Sequence, residues 1–173
     1  MANKAIYNIN AIDIDDLTKS SATMEYPVGA KITIKDSSAA QPGEYIYVKS
    51  HSTLTQYAPY GIEPGSGGNA EVVTAAPATI ASGAIIGFAL AAITSGHYCW
   101  LQLSGVITAA AGTVAAGDHV EVLNTGTTVT VDGSTGSTVN SIYSIGIAKT
   151  ATSGGTITLA ALPSRTVAIQ SGA

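Results

Sequence analysis

The chain has 173 residues, 10% of them charged, a formal net charge of −4 and a pI near 5.1. This acidic, charge-poor composition excludes a general nucleic-acid binder, because no basic stripe is present to neutralise phosphates. One cysteine excludes an internal disulfide. The length suits one domain, or one domain with an arm, and allows a real core. That core must be built from small residues, since there is a single Phe and residues 72 to 117 contain no Asp, Glu, Lys or Arg. The expectation is that part of the apolar surface is buried against other chains.

The first 25 residues differ from the rest. They combine Lys4, Asp13, Asp15, Asp16, Lys19 and Glu25 with spaced apolar residues, and "AIDIDD" alternates as an edge strand does. They lack the long apolar core of a signal peptide. They are expected either to form an extended N-terminal arm that adds to a partner's sheet edge or to be the first strand of the domain itself. Ile6, Ile9, Ile12, Ile14 and Leu17 are the candidate arm contacts. The expected division is an arm over 1–25, a β domain over 26–163 and a C-terminal tail over 164–173.

Strand patterns follow in order. "KITIK" (31–35) alternates, "GEYIYVKS" (43–50) is aromatic and β-branched, "HVEVL" (119–123) and "TTVTV" (127–131) alternate, and "GTITLAAL" (155–162) resembles a last strand. "QPGE", "EPGSGGN", "NTG", "DGSTG" and "TSGG" mark turns between them. No segment carries a capped helical stripe. The pattern predicts an all-β fold, a compact β-barrel or sandwich of short antiparallel strands. "IASGAIIGFALAAI" (80–93) has a GxxxG spacing. It is too short for a span of about 20 residues and lacks basic flanks, so no membrane helix is expected.

The chain also resembles itself. "GEYIYV" (43–48) is like "GHYCWL" (96–101), "TIASG" (79–83) is like "TVAAG" (113–117), and "IGFALAAITSG" (86–96) is like "IGIAKTATSG" (145–154) after one gap. An internally duplicated β unit is the expectation.

Candidate chemistry is sparse. On an extended strand, His97 and Cys99 share one face, as a Cys/His nucleophile would need. Cysteine activation also needs a positive or helix-terminal setting. Charge is nearly absent there, and the similar strand has Ile46 in the matching place. Cys99 is therefore expected to be a buried apolar position. Tyr98 and Trp100 then face a second sheet or a neighbouring subunit. His51, His97, His119 and Cys99 show no zinc spacing, and "DIDD" (13–16) lacks the Gly and terminal Glu of a calcium loop. There is no GxSxG elbow, "GSGGN" (65–69) is not followed by Gly-Lys-Ser/Thr, and Asp118 with Glu121 mark no cleft. The chain is expected not to be an enzyme and to need no metal or other cofactor.

The ordered series "YPVGAKITIKDSSAAQPGEYIYVKSHSTL", "IASGAIIGFALAAITSGHYCWLQLSGVITAAAGTVAAGDHVEVLNTG" and "SIGIAKTATSGGTITLAAL" resembles the capsid decoration, or cement, proteins of tailed bacteriophages. The resemblance runs from about Tyr26 to Leu162. Cys99 departs from it, standing where a small residue is commoner. It implies a structural protein on the outer surface of an icosahedral head, bound to the major capsid protein and assembled as a homotrimer. It implies no contact with nucleic acid or membrane. The competing expectation is a receptor- or glycan-binding module of a tail fibre or adhesin, with Tyr57, Tyr60 and Tyr143 free to stack on sugars.

Overall fold

The computed structural model describes residues 12, 14–34, 42–64, 71–74, 85–123, 128–131 and 142–161. Within them the chain is all-β, apart from a single 3-10 turn over Ile14–Thr18. The strands are β1 (Ser20–Ser21), β2 (Lys31–Ile34), β3 (Gly43–Ser50), β4 (Pro59–Pro64), β5 (Glu71–Thr74), β6 (Ile85–Ala89), β7 (Tyr98–Gln102), β8 (Gly105–Val114), β9 (His119–Leu123), β10 (Val129–Val131), β11 (Ile142–Ala148) and β12 (Thr152–Ala161).

These strands form two rings. Strands β10-β8-β12-β11-β9 close into a five-stranded barrel. The first sheet runs β1-β7-β6-β4-β5-β3-β2, and its extra β7–β3 pairing closes β3-β7-β6-β4-β5 into a second ring. We call these barrel 1 (β3 to β7) and barrel 2 (β8 to β12). Closing a sheet on itself removes free edges, which suits a chain with few charges to guard them.

The joints are antiparallel except β3–β5 in barrel 1 and β8–β10 in barrel 2. The sequence predicts antiparallel strands throughout, and closure explains the exception. Directions cannot alternate all the way round a ring of five, so one joint must be parallel.

The two rings have the same connectivity, and their ladders correspond strand for strand, apart from a register shift between Ser144 and Gly146 of β11 that β6 lacks. In barrel 1, Ile46 pairs with Leu101 and Ala89 with Leu101. In barrel 2, Ile107 pairs with Leu159 and Ala148 with Leu159. Tyr57 N–H donates to the Ala89 carbonyl (2.7 Å) and Ala89 N–H to the Ala58 carbonyl (3.2 Å). Gly117, Ala148 and Asp118 repeat this exchange at 2.8 and 2.9 Å. Tyr57 and Gly117 also share a left-handed backbone, with φ of 66° and 93°.

The duplication expected from sequence is therefore present, although only one of the three string matches follows it. "IGFA…TSG" and "IGIA…TSG" occupy equivalent places, β6 with the turn leading into β7 and β11 with the start of β12. "GEYIYV" and "GHYCWL" are hydrogen-bonded neighbours β3 and β7 of the same barrel. They resemble each other because both lie under the same cover. "TVAAG" is equivalent to residues 53–57, and its supposed match at 79–83 lies outside the described residues.

Each barrel has its own core. Ile46, Val48, Leu54, Ala58, Tyr60, Ile62, Ala89, Ile93, Cys99, Leu101 and Leu103 fill barrel 1. Ile107, Ala109, Ala111, Val114, Val120, Val122, Val129, Ala148, Ile157 and Leu159 fill barrel 2, joined there by Ile86 and Phe88 from β6 of barrel 1. Strand β6 is thus buried on both sides, and its unbroken apolar sequence follows from that. The link between barrels is pinned. Gln102 Nε2 donates to the Ser104 and Val106 carbonyls (both 3.1 Å), and Ser104 Oγ donates to Glu44 Oε2 (3.0 Å). Gly105 turns with φ of 92°, and a Cβ there would stand 2.8 Å from the Pro42 carbonyl oxygen.

The segment 14–34 lies along barrel 1. Strand β1 pairs with β7 and β2 with β3, so the boundary expected at residue 25 falls inside a continuous covering segment. The expected tail, 164–173, lies outside the described residues.

Candidate functional site

Among the described residues, the candidate side chains converge on the outer face of β3 and β7. Strand alternation points Tyr45 and Tyr47 of β3, and Tyr98 and Trp100 of β7, away from the barrel 1 core. The register sets Tyr47 directly across from Trp100, and Lys49 across from Tyr98. Leu17, Tyr45, Tyr47 and Trp100 form a buried cluster, with Ile12, Tyr26, Ala30, Ile32, Ile34, Leu90 and Tyr98 packed on it.

The rings are set at angles to one another. Tyr26 meets Tyr47 edge-on at 5.2 Å, and Trp100 lies 5.4 Å from Tyr26 and 5.0 Å from Tyr47. Tyr98 stacks on Tyr47 at 6.1 Å, and Lys49 Nζ sits 5.5 Å from the Tyr98 centroid. Such edge and offset contacts add about 0.5–1.5 kcal/mol per pair beyond area burial. The Glu25 backbone N–H donates to Tyr47 Oη (3.3 Å), which ties the segment to the ring beneath it.

A cavity of about 240 Å³ lies beside this cluster, lined by Asp16, Lys19, Ser20, Ser21, Glu25, Tyr26, Tyr47, Tyr98 and Trp100. Lys19 and Asp16 pair at 2.6 Å on its rim. Burial raises the Tyr26 phenol above its ordinary value, and the Asp16 and Glu25 carboxylates raise it further. Burial likewise raises Tyr47. Both phenols stay neutral around pH 7 and serve as apolar walls with a polar tip.

The structure therefore places the expected site residues as follows. Leu17 is 3% exposed and sits in the chain's own aromatic cluster, and Ile12 packs beside it. The Leu17 side chain is thus spent inside the molecule and has no free surface to offer a partner. Ile14 opens the 3-10 turn. Ile6 and Ile9 lie outside the described residues. Tyr98 and Trp100 do face a covering layer, and that layer is the segment 14–34 of the same chain.

Tyr60, expected to be free for sugar stacking, is 4% exposed in the barrel 1 core. It faces inward because β4 alternates about a closed ring, and its hydroxyl accepts from the Thr55 N–H (2.6 Å). Tyr57 is half-buried in its turn. Cys99 is in the barrel 1 core, 1% exposed. Burial there pushes its thiol up to about 12, far from an activated nucleophile. His97 is half-buried, with Nδ1 3.4 Å from Ser20 Oγ. Among the described residues no group of three or more His, Cys, Asp or Glu is placed to hold a metal ion. Among them too, no helix is long and apolar enough to cross a membrane.

Sequence reasoning missed Tyr26, Tyr45 and Tyr47 as partners of Trp100. The signal was present: "GEYIYV" and "GHYCWL" both place aromatics at alternate positions, which marks two neighbouring strands sharing one aromatic face. A scan against protein-family models returns no match, and no curated protein matches the chain.

Proposed function

We propose that this is a structural protein of a tailed-phage head, seated on the outer surface of the shell and joining neighbouring major capsid subunits. The observation that best supports this reading is how the molecule is built. Two closed barrels form a stiff body, and a segment is held on one of them by backbone pairing, with few charged contacts. Strand addition of this kind is also a way to grip a partner's sheet edge. Each main-chain bond is worth about 1 kcal/mol net, and many copies on one shell add up through multivalency. The resemblance of the motif series to decoration proteins supports the same reading. It brings with it a homotrimeric, virion-surface, non-enzymatic role without cofactor, nucleic-acid or membrane partners.

The deciding experiment is the copy number of the chain in its purified source particle. A ratio to the major capsid protein near one, within a few-fold, is the expected result. A handful of copies per particle would overturn it and place the chain on the tail. Residues 1 to 11 can be tested separately. Removing them, with Leu17 left in place, is expected to weaken head binding while leaving the fold intact.

A second reading, a glycan- or receptor-binding module, is favoured by one observation: the cavity beside Tyr26 and Tyr98 joins aromatic walls to a rim of carboxylates and hydroxyls. Glycan-array binding that is lost in Tyr26→Ala would establish it.

A further inference from the structure

The cavity between the N-terminal segment and the aromatic face joins electron-rich rings to an excess of negative charge. Tyr47 and Trp100, each 2% exposed, line it together with the half-buried Tyr26 and Tyr98. The face of such a ring is the negative end of its quadrupole and attracts cations. Tyr98 does this within the chain itself, with the Lys49 ammonium 5.5 Å from its centroid.

The charges in the lining act in the same sense. Asp16 and Glu25 supply two carboxylates against the single ammonium of Lys19. Lys19 is paired with Asp16 at 2.6 Å. Among the described residues, the Glu25 carboxylate has no hydrogen bond or ion pair. The Tyr26 phenol, raised most by burial, is raised further by Asp16 and Glu25, and the opposing effect of Lys19 is the smallest. The field at that wall is therefore negative. The lining also holds a spare donor, because the Trp100 indole N–H donates to no described residue. At about 240 Å³ the cavity is smaller than the roughly 300–1,000 Å³ of sites that enclose a drug-sized molecule. It suits one end of a larger ligand.

We infer that this cavity binds an organic ammonium group with an oxygen beside it. The cation lies against the Tyr26 and Tyr98 rings and faces Glu25, and the oxygen accepts from the Trp100 indole. A choline-type headgroup and an amino sugar both carry that grouping. A neutral sugar does not, and leaves the Glu25 charge uncompensated. The inference rests on neither functional reading above. Neutral glycans bound here without ammonium ions would keep the glycan reading and remove this one, and the copy number of the chain on a head is independent of it.

The test titrates the full-length chain with choline, and with glucosamine at a pH where its amine is protonated. Their neutral counterparts are the uncharged carbon isostere of choline, and glucose. Trp100, the only tryptophan, reports binding by its emission. The expected result is a saturable change with at least one ammonium, about tenfold tighter than with its neutral counterpart; the tighter of the two names the source. Glu25→Gln is expected to weaken binding about fivefold, and added salt to weaken it further in the wild type. Tyr26→Leu keeps the bulk and loses the ring face, so its affinity is expected to fall to that of the neutral counterpart, while Tyr26→Phe retains binding. Circular dichroism checks that each variant is folded. Equal binding of an ammonium and its neutral counterpart would overturn the inference. So would the lack of a saturable response to either ammonium, or wild-type affinity in folded Glu25→Gln and Tyr26→Leu.

Discussion

At the scale of single residues, Cys99 gives the clearest pH dependence. Its thiol, which ordinarily titrates near 9.0, is raised to about 12 by burial. The unfolded chain therefore ionises first, and folding favours the neutral thiol. The stabilising effect is complete below pH 9 and is lost as pH rises from 9 towards 12, at up to about 1.4 kcal/mol per pH unit. Tyr26 and Tyr47 are raised as well and act with the same sign above their ordinary value of 10. Urea unfolding at pH 8, 9 and 10 is expected to show the decline, and Cys99→Ala is expected to flatten it between 9 and 10. Glycine supplies a second test. Gly87 and Gly146 hold equivalent inward places on β6 and β11. A Cβ at Gly87 would lie 2.9 Å from Ile62 Cδ1; at Gly146 it would collide with the Ala160 carbonyl oxygen and come within 2.9 Å of Leu159 Cδ1. Side-chain ends can yield and a backbone oxygen cannot. Gly146→Ala is expected to cost about 1–3 kcal/mol or more, and Gly87→Ala less, both read from denaturant midpoints.

At the scale of elements, the N-terminal segment is held mainly by Leu17, Tyr26 and β2. Leu17→Ala is expected to free it while both barrels stay folded. The chain's one tryptophan reports this directly: Trp100 emission shifts to the red, and amide exchange quickens over 20–21 and 31–34 before it does over β3 or β7. Legibility in the sequence divides along the same physical line. Strands with one wet face or rich in β-branched and aromatic residues were readable, and β2, β3, β9, β10 and β12 fall where the alternation puts them. Strand β8, "GVITAAAGTV", is built of Ala and Gly, whose weak strand preference hides it. Strand β6 lies inside the apolar run 80–93, which shows no alternation because burial between two barrels erases it. The aromatic site was half visible: Tyr98 and Trp100 stood out as large residues needing a cover. That the cover is the chain's own segment depends on pairings between residues about 80 apart, such as Ser20 with Cys99, which no local pattern encodes.

At the scale of the whole molecule, Phe88 is the bolt between the barrels. It belongs to a strand of barrel 1 and is buried in the cluster of barrel 2. Phe88→Ala is expected to cost about 3–5 kcal/mol and to split one unfolding transition into two, since each ring keeps its own core. Calorimetry distinguishes this from a uniform loss. The outcome that would refute it is a single transition shifted as a unit.

Ring closure also sets an order of events during synthesis. Barrel 1 is sealed when its last strand, β7, joins its first, β3, and barrel 2 when β12 joins β8. The chain leaves the ribosome from its N-terminus, so the first ring can be complete before the second has begun. Pairings between strands so far apart in sequence form slowly, on the scale of milliseconds to seconds. Until β8 to β12 assemble, Ile86 and Phe88 lie bare on a finished barrel. The nascent chain passes through a sticky half-molecule, and its yield in a host cell is expected to depend on how quickly the second half follows the first.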